Sequence, residues 1–429
     1  MGSLATFALC VVLILGTARH AHADAPLLSR FRTGSRVPVS PAVGPDGTVY
    51  VGGSSGRLHA LHIERNWLRE RWSQNLESSV DSGAVISATG TVYIVPASGV
   101  LHAIRDSGDS GETLWTVTIE NAVAQTPALR DDGVLLLVAE SRLYAIDATN
   151  EGSTLWRYDA GGEILSRPSI TPEGMVYVTV LHGQTFSLHA INPDGSRRWV
   201  YDTALFYPSR TFDREFLGVT VDSFGAAIVQ LGRDQLYAIE ADRTVRWRFQ
   251  IPEVRYSVQE RSEAPYPLLD RRTEFFPNSA IGPDNTITVE SILIPEAGEL
   301  PPSLIMVLDL HPDWSNGSID NRDHLRELPS FPTQMLGYTN ITIGSNGSTF
   351  IASASGDLVA IDPTGSMLWR YTERSGRWSS PVIGPDGVLF ISSASGYVYA
   401  FDSGTDGLAE TAWPTYGANM RRSGQAAGD

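Results

Sequence analysis

The sequence predicts an all-β chain in which one four-stranded unit is repeated and closed into a ring, and three observations carry that reading. The first is a string that recurs as Leu58-His59-Ala60-Leu61, Leu101-His102-Ala103-Ile104, Leu143-Tyr144-Ala145-Ile146, Leu188-His189-Ala190-Ile191, Leu236-Tyr237-Ala238-Ile239, Leu358-Val359-Ala360-Ile361 and Val398-Tyr399-Ala400-Phe401. The second is a Trp after each copy (Trp72, Trp115, Trp156, Trp199, Trp247, Trp369, Trp413), with neighbouring copies 41 to 48 residues apart except between Trp247 and Trp369. The third is a set of turns such as Gly44-Pro45-Asp46-Gly47, Arg130-Asp131-Asp132-Gly133, Gly282-Pro283-Asp284-Asn285, Gly344-Ser345-Asn346-Gly347 and Gly384-Pro385-Asp386-Gly387. Pro fixes φ and Gly tolerates positive φ, so these strings reverse the chain between strands. A period in the low forties built from strand formers is the mark of a propeller blade. The expectation is an eight-bladed β-propeller of four-stranded antiparallel blades, with seven blades as the alternative if the sixth unit does not complete a sheet.

Taken in chain order, residues 1–23 read as a secretory signal peptide. Leu4 to Leu15 is apolar but short for a membrane span, and Ala21-His22-Ala23 is a small-residue cleavage site that leaves Asp24 first. The segment before the apolar run has no Lys or Arg. Cys10 follows Leu9 rather than a small residue, which argues against a lipid anchor. The rest, 24–429, reads as a single domain. Ser29-Arg30-Phe31-Arg32 resembles an outer strand such as Leu155-Trp156-Arg157-Tyr158 but has no inner strand of its own. It is therefore expected to pair into the last blade and remove an open edge.

Eight units follow, with inner strands beginning near Ser40, Ser82, Thr126, Arg167, Leu217, Asn278, Asn340 and Ser380. Unit 4 shows the order best: Pro168-Ser169-Ile170, a turn, Met175 to Val178, Phe186 to Ile191, the turn Asn192-Pro193-Asp194-Gly195, then Arg198-Trp199-Val200-Tyr201. Unit 6 departs from it. Its third strand is Leu304 to Asp309, its Trp is missing or displaced to Trp314, and insertions occupy 252–276, 295–302 and 311–337. Loops of that length in a compact repeat more often carry function than short connections do.

Composition narrows the function. The chain has 32 basic and 48 acidic residues, a net charge of −16, and every basic residue is an arginine. Lysine nucleophiles and Schiff bases are excluded, and an acidic surface disfavours nucleic acid as a partner. The one cysteine, Cys10, lies in the leader, so the mature chain has no disulfide, thiol catalysis or Cys-based metal site. No His–X–His or His–Glu–X–X–His pattern points to zinc.

The string Ala360-Ile361-Asp362-Pro363-Thr364-Gly365-Ser366-Met367-Leu368-Trp369 resembles the hallmark of the PQQ-like propeller repeat family. Ala145-Ile146-Asp147 with Trp156, and Ala190-Ile191-Asn192 with Trp199, match it in part. The terminal Trp413 to Gly424 also resembles a segment common in that family. The resemblance covers about 27–424 and implies the propeller. It leaves function open, because the family holds quinone-dependent dehydrogenases as well as non-catalytic outer-membrane assembly proteins of the BamB type. For a dehydrogenase it implies PQQ and calcium at the channel mouth, where inner strands begin. The adjacent cysteines of alcohol-oxidising relatives are absent here, as is any haem-attachment motif.

The candidate ligand-binding residues at that mouth are Trp378, which could present a flat face, Arg167, which could hold a carboxylate, and Asp81, Gln125, Asn278 and Asn340. The recurring Trps are expected to pack each blade against the next, and the His59/His102/Tyr144/His189 slot to be a half-buried strand position. The features favour an exported (periplasmic or extracellular), non-catalytic scaffold for another protein or an extracellular polymer. No catalytic residue, metal or cofactor is expected; the alternative is a PQQ/calcium-dependent dehydrogenase of alcohols or sugars.

Overall fold

A computed structural model describes residues 23–36, 39–121, 125–183, 185–206, 218–230, 235–250, 272–283, 286–294, 303–308, 317–319, 325–327, 341–353, 356–373, 377–415 and 417–427. The expected leader (all but Ala23), the insertion at 295–302, most of those at 252–276 and 311–337, and Trp314 lie outside the described residues. No helix among the described residues is long and apolar enough to cross a membrane.

The strands form antiparallel sheets that follow one another along the chain: 42–75 (unit 1), 85–118 (unit 2), 128–159 (unit 3), 163–206 (unit 4), 220–250 (unit 5), 272–327 (unit 6), 341–372 (unit 7) and 382–402 (unit 8). Each sheet has four antiparallel strands running from the ring axis outward, with extra short strands on some. Counting the sheets whose packing is described through their side chains gives seven blades. Unit 6 is described almost entirely through its backbone, and there the four strands Arg272–Ile281, Ile287–Ile294, Ser303–Leu308 and Leu325–Glu327 pair in order.

The core lies between neighbouring sheets. Tyr50, Leu58 and Trp72 of unit 1 bury against Ile86, Ile94 and Ile104 of unit 2, and equivalent clusters recur round the ring. Full burial of each such side chain is worth roughly 1.5–3 kcal/mol, so interleaved aliphatics rather than cross-links hold the units together.

Turn chemistry follows the sequence closely. The Asp147 carboxylate accepts hydrogen bonds from the Thr149 hydroxyl (2.7 Å) and amide (2.8 Å), which hold its pKa below the usual range. Asp46, Asp194, Asp242 and Asp362 cap their turns in the same way, each against a Thr or Ser two residues on.

The outer strand of unit 8 comes from the other end of the chain. Leu27–Arg32 pairs antiparallel with Tyr397–Asp402, and Ser29 faces Ala400 at the register where other units place Trp. Trp413 is therefore not the outer-strand Trp of the last unit, contrary to the repeat pattern. The N-terminal strand takes that place, and the chain beyond Asp402 is left to cross the ring.

Candidate functional site

The crossing segment occupies the axis. Backbone amides at one repeat position, the last residue of each inner strand, donate to its carbonyls. Ile281 bonds Trp413, Ile343 bonds Pro414, Val43 bonds Met420, Ile86 bonds Arg421, Leu129 bonds Ser423 and Ile170 bonds Gly424, at 2.6–3.0 Å. Units 6, 7, 1, 2, 3 and 4 are met in that order. Unit 8 is touched between them, where the Thr415 hydroxyl reaches the Pro381 carbonyl at 3.3 Å. The loop closes on itself where the Ala427 amide meets the Ala412 carbonyl at 3.4 Å.

Two arginines stand inside this loop. Arg422 is fully buried (0% exposed), and its Nη2 donates to the Ser380 carbonyl at 3.0 Å, its Nε to that of Pro41. Arg167 is also buried. Its Nε and Nη2 donate to the Pro127 carbonyl at 3.1 and 2.6 Å, and Nη2 also reaches the Arg422 carbonyl. A charge this deep is tolerated because carbonyl dipoles replace the water it lost. Arg422 carries no sequence motif; only its place in the terminal segment set it apart.

Among the described residues, the expected mouth side chains of Arg167, Trp378, Asp81 and Gln125 do not converge. Arg167 is engaged by carbonyls rather than turned to a ligand. Trp378 is buried, edge-on to Tyr399 (centroids 5.1 Å apart) and tilted against Tyr371 (6.1 Å). Asp81 is exposed and accepts a bond from Ser79 at 2.9 Å. Gln125 is half-buried and donates to the Leu165 carbonyl at 3.3 Å. Asn278 lies in the inner strand of unit 6 at a register shift, and Asn340 lies outside the described residues. A quinone held by calcium would require an open flat face and anionic oxygens converging on one point. The described candidates, Arg167, Trp378, Asp81 and Gln125, do not fit that group. Among the described residues no group of three or more His, Cys, Asp or Glu is placed to hold a metal ion.

The repeated aromatic positions join units. Trp72 Nε1 donates to Asp106 Oδ1 of unit 2 at 2.8 Å, Trp156 to the Pro193 carbonyl of unit 4 at 3.0 Å, and Trp199 to the Ala241 carbonyl of unit 5 at 2.9 Å. The indoles also lie against a glycine of the next unit: a Cβ on Gly111, Gly152 or Gly195 would fall 2.5–2.8 Å from an atom of Trp72, Trp115 or Trp156, or of its strand. The residue two beyond the Trp position meets the His/Tyr slot of the next unit, as in Phe31 on His59, Tyr158 on His189, Tyr201 on Tyr237 and Tyr371 on Tyr399.

One feature was not legible in the repeat. Most outer strands carry a β-bulge just before the Trp, and the extra residue is thrown outward. In units 1, 4 and 5 it is Arg71, Arg198 or Arg246, each bonded to a turn of its own or the next unit. In units 2, 3 and 7 it is the exposed Leu114, Leu155 or Leu368.

Comparison with known proteins agrees with this geometry. A family model described as outer membrane protein assembly factor BamB matches residues 69–206. The outer membrane protein assembly factor BamB of Shewanella oneidensis is 39% identical over 72 residues, and that match spans 17% of this chain and 17% of the relative's length. Among solved structures, BamB from Moraxella catarrhalis superimposes with a TM-score of 0.62 at 14% identity, covering 88% of this chain and 99% of that one. Sqt1 from Saccharomyces cerevisiae does so with a TM-score of 0.62 at 10% identity and the same coverage. The chain is thus similar in sequence to BamB over units 1 to 4 and has the propeller fold.

Proposed function

We propose that this chain is a non-catalytic propeller scaffold that works outside the cytoplasm and binds another protein through its surface. The observation that carries the reading is the occupation of the ring axis by residues 412–427, with Arg422 and Arg167 committed to backbone carbonyls. A ring filled with its own chain has its rim, faces and blade edges left for partners, and rigid repeats suit that use. The similarity to an assembly factor supports the same direction. Unit 6 is read as an eighth blade, because its four strands pair in the same order as the others.

The test is affinity purification of the mature chain, cross-linked in its native exported fraction, together with a thermal shift in PQQ and calcium. The expected result is one stoichiometric protein partner and an unchanged melting temperature. Purification without any partner, with a melting temperature raised by PQQ, overturns the reading.

A further inference from the structure

Two outer edges of the ring already carry an added strand in a shared register. In the uncleaved chain Ala23–Asp24 runs parallel to the outer strand of unit 7 (Met367–Thr372), with Ala23 opposite Trp369 and Asp24 opposite Arg370, and cleavage after Ala23 would leave Asp24 alone on that edge. Gly317–Ile319 runs parallel to the outer strand of unit 5 (Val245–Gln250), with Gly317 opposite Trp247 and Ser318 opposite Arg248. The two segments come from unrelated parts of the chain. They share direction, starting point and a small residue opposite the Trp. The common factor is the edge, not the sequence laid on it.

An edge strand exposes a row of unpaired amides and carbonyls, which is a template for a further strand. Where a strand is added, the Trp is buried, 3% exposed for Trp247 and 6% for Trp369. The outer strands of units 2 and 3, Gly111–Thr118 and Ser153–Asp159, end their sheets with no strand beyond them among the described residues. There Trp115 and Trp156 are only half-buried, and the bulge leucines Leu114 and Leu155 stand 37% and 51% exposed. Trp72 is buried without an added strand, its indole N–H held by Asp106, and since Trp115 and Trp156 also lie against a glycine of the next unit, the exposed Leu114 and Leu155 are what set the edges of units 2 and 3 apart. The unit 7 edge, which has taken a strand, carries the same Leu–Trp pair, Leu368-Trp369.

Resting on the scaffold reading above, we propose that the outer edges of units 2 and 3 bind an extended segment of a partner polypeptide by parallel strand addition. The segment places a small residue opposite Trp156 or Trp115, so that its backbone can approach the indole, and covers Leu155 or Leu114 beside it. Main-chain pairing supplies the attraction, and the Leu–Trp pair fixes where the segment starts.

The probe is a fluorescein-labelled peptide copying residues 315–321, Ser-Asn-Gly-Ser-Ile-Asp-Asn, added to the intact mature chain. Binding is read by anisotropy and located by hydrogen exchange. The expected result is saturable binding that slows amide exchange in 153–159 and 111–118 at least fivefold. N-methylation at the peptide's Ser318 abolishes it, and Gly317→Leu in the peptide or Leu155→Glu in the protein weakens it at least fivefold. Unchanged binding of the N-methylated peptide, slowing confined to other strands, or no slowing at millimolar peptide overturns the proposal. Concentration-dependent dimerisation that protects the same strands without peptide also overturns it, by making a second copy the occupant. If the edge effects are absent while the cross-linked partner is still retained, the scaffold reading stands without this edge; if both are absent, both fall.

Discussion

The Tyr158 hydroxyl lies 2.8 Å from Nδ1 of His189, joining the outer strand of unit 3 to the third strand of unit 4. Nε2 of the same ring is 2.9 Å from Ser187 Oγ, and the His182 ring stacks on it with centroids 5.7 Å apart. With the ring neutral, one ring nitrogen donates and the other accepts, so a single tautomer satisfies both the Tyr158 and the Ser187 hydroxyls. Burial, followed by the charge of His182, pushes the His189 pKa down to about 4, against a smaller opposing pull from Asp202.

A pH dependence of stability follows from that shift. The folded pKa lies below the unfolded one near 6.5, so the unfolded chain binds the proton first as pH falls. The contribution is whole above about pH 6.5 and is lost as pH drops toward 4, amounting to about 3 kcal/mol. Urea melts at pH 7 and pH 4.5, with an NMR titration of His189, check it. His189→Tyr, the residue that three other units hold in this slot, removes the His189 part of the slope.

Gly195 has φ +86°, and a Cβ there would lie 2.5 Å from the Trp156 ring. Gly195→Ala is expected to destabilise by about 2–3 kcal/mol, from a left-handed backbone and a clash together. Gly183 has φ +61° but nothing within 4 Å, so Gly183→Ala is expected to cost only about 1 kcal/mol. Denaturant melts of the two variants separate packing from backbone strain.

Asp106 accepts from Tyr50 Oη at 2.6 Å and from Trp72 Nε1 at 2.8 Å. Burial and this carboxylate together raise the Tyr50 pKa. Asp106→Ala leaves both donors without their acceptor, at a cost of about 2–3 kcal/mol. Asp106→Asn, which keeps an acceptor for one of them, is expected to lose less than half of that. Thermal melts and Trp fluorescence distinguish the two.

Arg422→Met keeps the volume but removes the donors that satisfy the Pro41 and Ser380 carbonyls, and an expected loss of about 3–5 kcal/mol follows. Hydrogen exchange provides the local readout. The amides of Val43, Ile86, Leu129 and Ile170 are expected to exchange faster as a group, because one segment holds all four. Acceleration at Val43 alone counts against a shared loop.

Much of the fold was legible because it is periodic. The Leu–X–Ala–Ile string, the capped turns and the Trp each repeat a local requirement, and the string and capped turns recur in the structure as strands and turns. Three things were not. Arg167 looked like a free cation at a mouth because no local pattern tells that residues 255 positions later supply its partner. Trp378 has the flat face a ligand needs, but long-range aromatic packing against Tyr371 and Tyr399 occupies it. The bulges that expose Leu114 and Leu155 arise from a one-residue mismatch between two strands, which neither strand shows by itself.

Residues 412–427 bond to amides as far back as Val43, and Leu27–Arg32 pairs with Tyr397–Asp402. Both closures require residues 397–427. A nascent chain that lacks them has inner strands with unanswered amides and a ring with a gap, whatever its partial sheets have gained. Folding of this protein is therefore completed only once residues 397–427 have been made, and the partial sheets stay free of the locked form until that segment joins them.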